Sequence, residues 1–155
     1  MIWESLNEDL IVTSMDAKTT DDVFARLGGL LVQQGYAKES YVAALAEREA
    51  EFPTGLNLGE YGIAIPHTAV EHVNKGATAI ATLKEPVRFV EMATDDDPVD
   101  ARVIFMLAVV DPKDHIEELQ RILKIVTDQE VIKALLSAQE SQEVIDIIKK
   151  KEISL

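Results

Sequence analysis

The run Gly62-Ile-Ala-Ile-Pro-His-Thr68 sets a histidine directly after a short apolar segment closed by a proline. Ile63 and Ile65 alternate with small residues as in a buried strand, and Pro66 removes a backbone donor, so strand pairing is expected to stop there. His67 then stands at a strand exit, where a rigid scaffold presents reactive groups. An imidazole with an ordinary pKa of about 6.5 is mostly neutral near neutral pH and offers one nucleophilic ring nitrogen. An inert loop histidine bonded to nearby backbone is the competing reading of these seven residues.

Two further side chains extend the chemistry. His115 follows Val110-Asp-Pro-Lys-Asp114, beyond a long apolar run and at the start of a helical pattern, so it too is expected at a strand exit. Ligands of open α/β sheets bind outside the carboxyl ends of strands, where two such histidines can share one shallow site. Arg48, in Ala46-Glu-Arg-Glu-Ala50, precedes the loop that leads to His67; its guanidinium matches phosphate oxygens and stays charged. Pairing with Glu47 or Glu51 on a solvated helix face is the alternative for Arg48. His72, five residues past His67, reads as a capping or packing residue as readily as a site member. A zinc site built from His67, His72 and His115 lacks compact helical ligand spacing. The acidic stretch Asp95-Asp-Asp-Pro-Val-Asp100 does not match a calcium loop and reads as a solvated turn.

These residues need elements to hold them. Leu10-Ile-Val-Thr13 reads as a first strand, and Thr19-Thr-Asp-Asp22 opens a helix with capping hydroxyls and early acids. Val23, Leu27, Leu30 and Leu31 recur at helical spacing until Gly35 closes that helix. A second helix runs from Ser40 with Tyr41, Ala44, Leu45 and Arg48, and Phe52-Pro-Thr-Gly55 breaks it before a loop over Gly55 to Gly59. Thr78 to Leu83, a separate Val87 to Val90 piece and the apolar run Ala101 to Val110 follow as strands. Ile116, Leu119, Ile122, Leu123 and Val126 form an amphipathic face, with shorter helices at Val131 to Leu136 and Val144 to Ile148. Strands interspersed with helices point to one α/β domain, its sheet covered by helices.

Composition narrows the function classes. A chain of 155 residues suits one domain, and no stretch approaches the roughly 18 apolar residues of a membrane span. The first residues show no basic region followed by an apolar one, so a cytoplasmic location without membrane insertion is expected. Zero cysteines removes thiolate chemistry from this chain. With 15 Lys plus Arg against 28 Asp plus Glu, the formal charge of −13 argues against a nucleic-acid partner. Solubility or a basic protein partner accounts for that charge.

Ile63-Ala-Ile-Pro-His67, with Arg48-Glu49 before it and Asp111-Pro-Lys-Asp-His115-Ile-Glu-Glu-Leu-Gln120 after it, resembles the fructose/mannitol-type enzyme IIA domain of the bacterial phosphoenolpyruvate-dependent sugar phosphotransferase system. The likeness spans nearly the whole chain. Phe52-Pro-Thr-Gly-Leu56, His67-Thr68, His72-Val73, Pro86-Val-Arg-Phe89 and Met92 are similar to the galactitol-specific branch. The resemblance implies a single domain over residues 1–155, with a mixed, about five-stranded sheet flanked by helices, of the phosphotransferase/anion transport protein-like fold. It implies a phosphoryl carrier in which His67 is phosphorylated by the phosphocarrier protein HPr and passes the group to a cysteine of a IIB component that serves a membrane IIC component. Arg48 and His115 match the residues that support the phosphoryl group, and no cofactor is expected. The nitrogen-type enzyme IIA proteins, which bind targets according to phosphorylation state, are the regulatory alternative. Ala69 stands where many galactitol-type sequences carry aspartate, which bears on the sugar more than on His67.

Overall fold

The computed structural model describes residues 1–155. Its strands are β1 (Ile11–Met15), β2 (Gly55–Asn57), β3 (Gly62–Ala64), β4 (Ala77–Val90) and β5 (Pro98–Ala108). They form one mixed sheet in the order β1-β4-β5-β3-β2. β4 and β5 pair antiparallel as a long hairpin, β2 pairs antiparallel with β3, and the β1/β4 and β3/β5 pairs are parallel. The parallel β3/β5 register matters for the site, because it brings the carboxyl ends of both strands to the same edge of the sheet.

Alternation along the strands sorts the two faces, with the alanines gathered on one of them beside Ile104, Met106 and Phe89. Ala64, Ala79, Ala81 and Ala108 lie on the face covered by α1 (Thr20–Val23), α2 (Gly29–Gln33) and α3 (Tyr41–Glu51), in a cluster with Phe24, Leu27, Leu31, Tyr41 and Leu45. Ile63, Ile65, Ile80, Phe105 and Leu107 point the other way, into a second cluster with α4 (Pro112–Val126), α5 (Gln129–Ser137) and α6 (Ser141–Ile153). Alternation with a period of two thus feeds two separate cores from one sheet, as a strand buried on both faces requires. No helix is long and apolar enough to cross a membrane.

The first helical pattern is split by a wide π-type turn over Phe24–Gly28. The wide turn ends at Gly28, where an added Cβ would stand 3.1 Å from Leu45 and 3.3 Å from Val42, so α3 packs close against bare backbone. Thr19 caps α1 in a reciprocal capping box with Asp22, and Gly35 ends the helical run at φ +85.

Several sequence expectations are corrected. Gly55–Asn57, read as loop, forms edge strand β2, because Gly55 fits beside the Val90 backbone and pairs with Ala64. Val87 to Val90 is not a separate piece: β4 continues through Pro86 by bulging out between Thr82 and Val87, which spares the proline a ladder bond. Of the acidic stretch, Pro98 to Asp100 belongs to β5, and only the residues before it turn. Pro66 does not end pairing either. It lacks an N–H, yet its carbonyl accepts from Leu107 N–H at 2.9 Å, and His67 itself bridges to Leu107.

Candidate functional site

That last bridge places His67 at the β5 exit. The Pro66 carbonyl bond extends the β3 trace alongside Leu107, and the Tyr41 hydroxyl, fully buried, donates to the Leu107 carbonyl at 2.7 Å. Burial pushes the Tyr41 phenol far up, so it remains a neutral donor that ties α3 to this edge. The His67 ring turns back on its own strand: Nδ1 lies 2.9 Å from the Ile65 carbonyl. A carbonyl only accepts, so in the neutral ring Nδ1 carries the proton and Nε2 keeps its lone pair.

His115 comes from the first turn of α4, whose start is fixed by Asp111 accepting from Lys113 N–H and by Pro112 in the first turn. Its ring centroid is 4.5 Å from that of His67, with the planes tilted by 43°. Arg48 reaches the same corner from the last turn of α3 and stacks over Phe52, 4.9 Å from guanidinium carbon to ring centroid. The expected alternative, an ion pair of Arg48 with Glu47 or Glu51, does not form among the ion pairs of the molecule. Instead Arg48 Nε and His115 Nδ1 are both buried without any hydrogen-bond partner.

Charge and burial act in one direction on the imidazoles. Burial holds His67 below its ordinary value; the Ile65 bond opposes this, while His115 and Arg48 add to it. His115 is lowered by burial and then by Arg48. Both rings are therefore neutral near neutral pH, next to a guanidinium that cannot lose its charge. An orphaned N–H of Arg48, a neighbouring imidazole and a free Nε2 lone pair make a nucleophile flanked by donors suited to oxyanion ligands.

His72 does not join the pair. Its Nδ1 is bonded to Ser40 Oγ at 2.8 Å, and no group of three or more His, Cys, Asp or Glu side chains is arranged to hold a metal ion. It lines a shallow cavity of about 160 Å3 beside Arg48, Phe52, Thr68 and Ala69. Glu49 and Thr54, which the sequence offers only within the family-like motifs Arg48-Glu49 and Phe52-Pro-Thr-Gly-Leu56, connect these parts. The Glu49 carboxylate accepts from the Thr54 backbone N–H and hydroxyl, each at 2.7 Å, and burial raises the carboxyl against those two bonds. The sequence signals were Glu49 standing next to Arg48 and Thr54 lying in the Phe52-Pro-Thr-Gly break, neither of which shows that the two side chains meet.

The family model described as phosphoenolpyruvate-dependent sugar phosphotransferase system, EIIA 2, matches residues 4–151. The chain belongs to that family. As a type-2 enzyme IIA it is a phosphotransferase phosphoryl carrier. This enzyme IIA is 28% identical over 121 residues to the galactitol-specific EIIA component of Escherichia coli (strain K12), covering 78% of this chain and 80% of that one. Its fold matches enzyme IIAMTL in complex with phosphorylated enzyme IIBMTL from Escherichia coli, with TM-score 0.78, 28% identity and coverage of 94% and 97%. Nitrogen regulatory protein IIA-Ntr from Neisseria meningitidis matches with TM-score 0.74 at 28% identity, covering 95% and 98%.

Proposed function

We propose that this enzyme IIA accepts a phosphoryl group from phospho-HPr on His67 Nε2 and passes it to a cysteine of a sugar-specific IIB component in the cytoplasm, during uptake of galactitol or a related polyol. The observation that carries the reading is the pair of orphaned nitrogens, Arg48 Nε and His115 Nδ1, beside an imidazole whose Nδ1 is already engaged. The Nε2 lone pair attacks phosphorus as the donor's P–N bond breaks, and that electron pair returns to the donor ring. His67 keeps its Nδ1 proton on the Ile65 carbonyl and the ring takes up positive charge. Arg48 and His115 then face a dianion, which offsets the repulsion from Arg48 that adds to burial in lowering both imidazoles. The thiolate of the partner reverses the sequence. Transfer of this kind needs in-line placement and oxyanion donors, and Arg48 Nε beside His67 supports the second requirement.

Docking is supported by the surface. Away from the chain ends, the exposed large hydrophobics are Phe52, Val70, Val110 and Ile116, each within four residues of Arg48, His67 or His115 or at the β5 exit between them. Such a rim suits brief contact with HPr and IIB in turn. The galactitol-specific relative supports the sugar class, with Ala69 beside Arg48 in the cavity as the point of difference. The likeness to IIA-Ntr supports a second reading, a regulator that binds targets according to its phosphorylation state.

Incubation with phosphoenolpyruvate, enzyme I and HPr is expected to add one acid-labile phosphoryl group by intact mass, and none in His67→Ala. Arg48→Gln or His115→Ala should slow transfer about 10²-fold or more with the fold intact. Labelling of His67→Ala equal to wild type sinks the assignment. Onward transfer to a galactitol-type IIB favours transport; a phosphorylated form that gives nothing to any IIB favours regulation.

A further inference from the structure

The Ile65 carbonyl decides which nitrogen of His67 is free, and its position is set from outside the strand. Ile65 N–H donates to the Thr54 carbonyl at 3.2 Å, while the Ile65 carbonyl receives His67 Nδ1–H at 2.9 Å. Thr54, 2% exposed, is in turn held through both its N–H and its hydroxyl by Glu49. Glu49 follows Arg48 directly on α3, so one carboxylate fixes the helix end that carries the guanidinium to the strand that carries the imidazole. Without it, two donors of a buried threonine would lose their partners, and the turn through Phe52 and Pro53 would lose the side-chain tie from α3 to Thr54.

We propose that Glu49 and Thr54 are positioning residues that clamp the Ile65 backbone so that His67 stays in the Nδ1–H tautomer, with Nε2 the one ring nitrogen open to phosphoryl transfer. The proposal rests on the carrier reading above and adds the device that selects the reacting atom. Glu49 does not neutralise Arg48: both of its oxygens are committed to Thr54, and no ion pair joins the two side chains. The clamp thus adjusts geometry while leaving the positive charge of the site undiminished.

The experiment follows the His67 imidazole nitrogens of the whole chain by 15N NMR, then determines which nitrogen carries the phosphoryl group after exposure to phospho-HPr. Wild type is expected to show a protonated Nδ1, a bare Nε2 and phosphorylation at Nε2 alone. Glu49→Ala and Thr54→Val should populate the other tautomer, divide the phosphoryl group between the two nitrogens and lower the transfer rate by about tenfold or more. Glu49→Gln should restore the wild-type pattern, since its amide oxygen can accept from Thr54 N–H while its amide nitrogen donates to the hydroxyl; Thr54→Ser should do the same. If Glu49→Ala does not fold, the contrast of Thr54→Val with Thr54→Ser decides. Wild-type tautomer and a single phosphorylated nitrogen in these disruptive variants overturn the clamp, however much their stability falls. The tautomer measurement needs no phosphoryl donor, so an unphosphorylated wild type with the expected tautomer would count against the carrier reading and leave the clamp standing.

Discussion

Two imidazoles and a guanidinium share one corner in which none of them is paired with a carboxylate, and that arrangement makes folding sensitive to pH. The folded values of His67 and His115 lie below their ordinary value, chiefly through burial. The unfolded chain therefore binds protons near pH 6.5 that the folded chain still refuses, so stability is full above about pH 6.5 and falls as the pH drops through the window beneath it. Glu49 and Glu118, both raised by burial, have the opposite slope at lower pH. Denaturant unfolding of wild type against a His67→Ala/His115→Ala variant, between about pH 5 and 7, removes that common background. The variant should lose less stability on acidification; an equal or larger loss would mean the two rings are not held neutral. His67 and His115 were singled out in the sequence by residue type and strand-exit position, Arg48 by its guanidinium on the helix before the His67 strand, and it was the family resemblance that joined the three, which the fold brings to one corner. The contact of Glu49 with Thr54 was not legible, since it depends on how Pro53 turns the chain between α3 and β2.

At the scale of elements, the site is a consequence of two parallel strands ending side by side, and glycines let the neighbouring backbones close up. A Cβ on Gly62 would stand 2.7 Å from the Asp100 carbonyl oxygen and 2.7 Å from Val99, neither at the tip of a flexible side chain. Gly62→Ala should therefore force β3 away from β5 at a cost of about 1–3 kcal/mol. In a chain of this length the melting temperature should fall by about 2–4 °C for each kcal/mol. Because β3 leads into His67, phosphoryl acceptance at low temperature should slow as well; an unchanged melting point would show that the strands separate freely. Alternation of isoleucine with small residues made β3 readable in the sequence, apolar runs marked β5 and the two halves of β4, and helical spacing did the same for α3 to α6. Edge strand β2 escaped, since three residues with glycine at one end give no period to detect, and the bulge hid the continuity of β4 because Pro86 reads locally as a stop.

For the molecule as a whole, the second core is closed by a carboxylate that the sequence presents as an ordinary surface glutamate. Glu152, near the end of α6 and 1% exposed, accepts from Ile2 N–H at 3.0 Å and Trp3 N–H at 2.8 Å, and it lies 3.7 Å from Arg121 Nε of α4. Contacts 150 residues apart leave no periodic trace, so nothing in a glutamate following three lysines marks it as buried. One side chain thus joins the first turn of the chain, α4 and α6, and Ile2 packs into the cluster formed by Ile122, Ile145 and Ile148. Glu152→Ala would leave two amides and a guanidinium without their acceptor, at a cost of about 2–4 kcal/mol. Glu152→Gln keeps one accepting oxygen and should lose roughly half as much. Thermal unfolding of the two variants measures the difference. The readout that links this to function is the phosphoryl-acceptance rate well below the melting point. His115 is placed by the Asp111 cap and the β5 exit, at the opposite end of α4 from Val126, so that rate should match wild type. A rate that falls with full folding would show instead that Arg121 carries the strain along α4 to the imidazole, and that the closure of the chain ends sets the site.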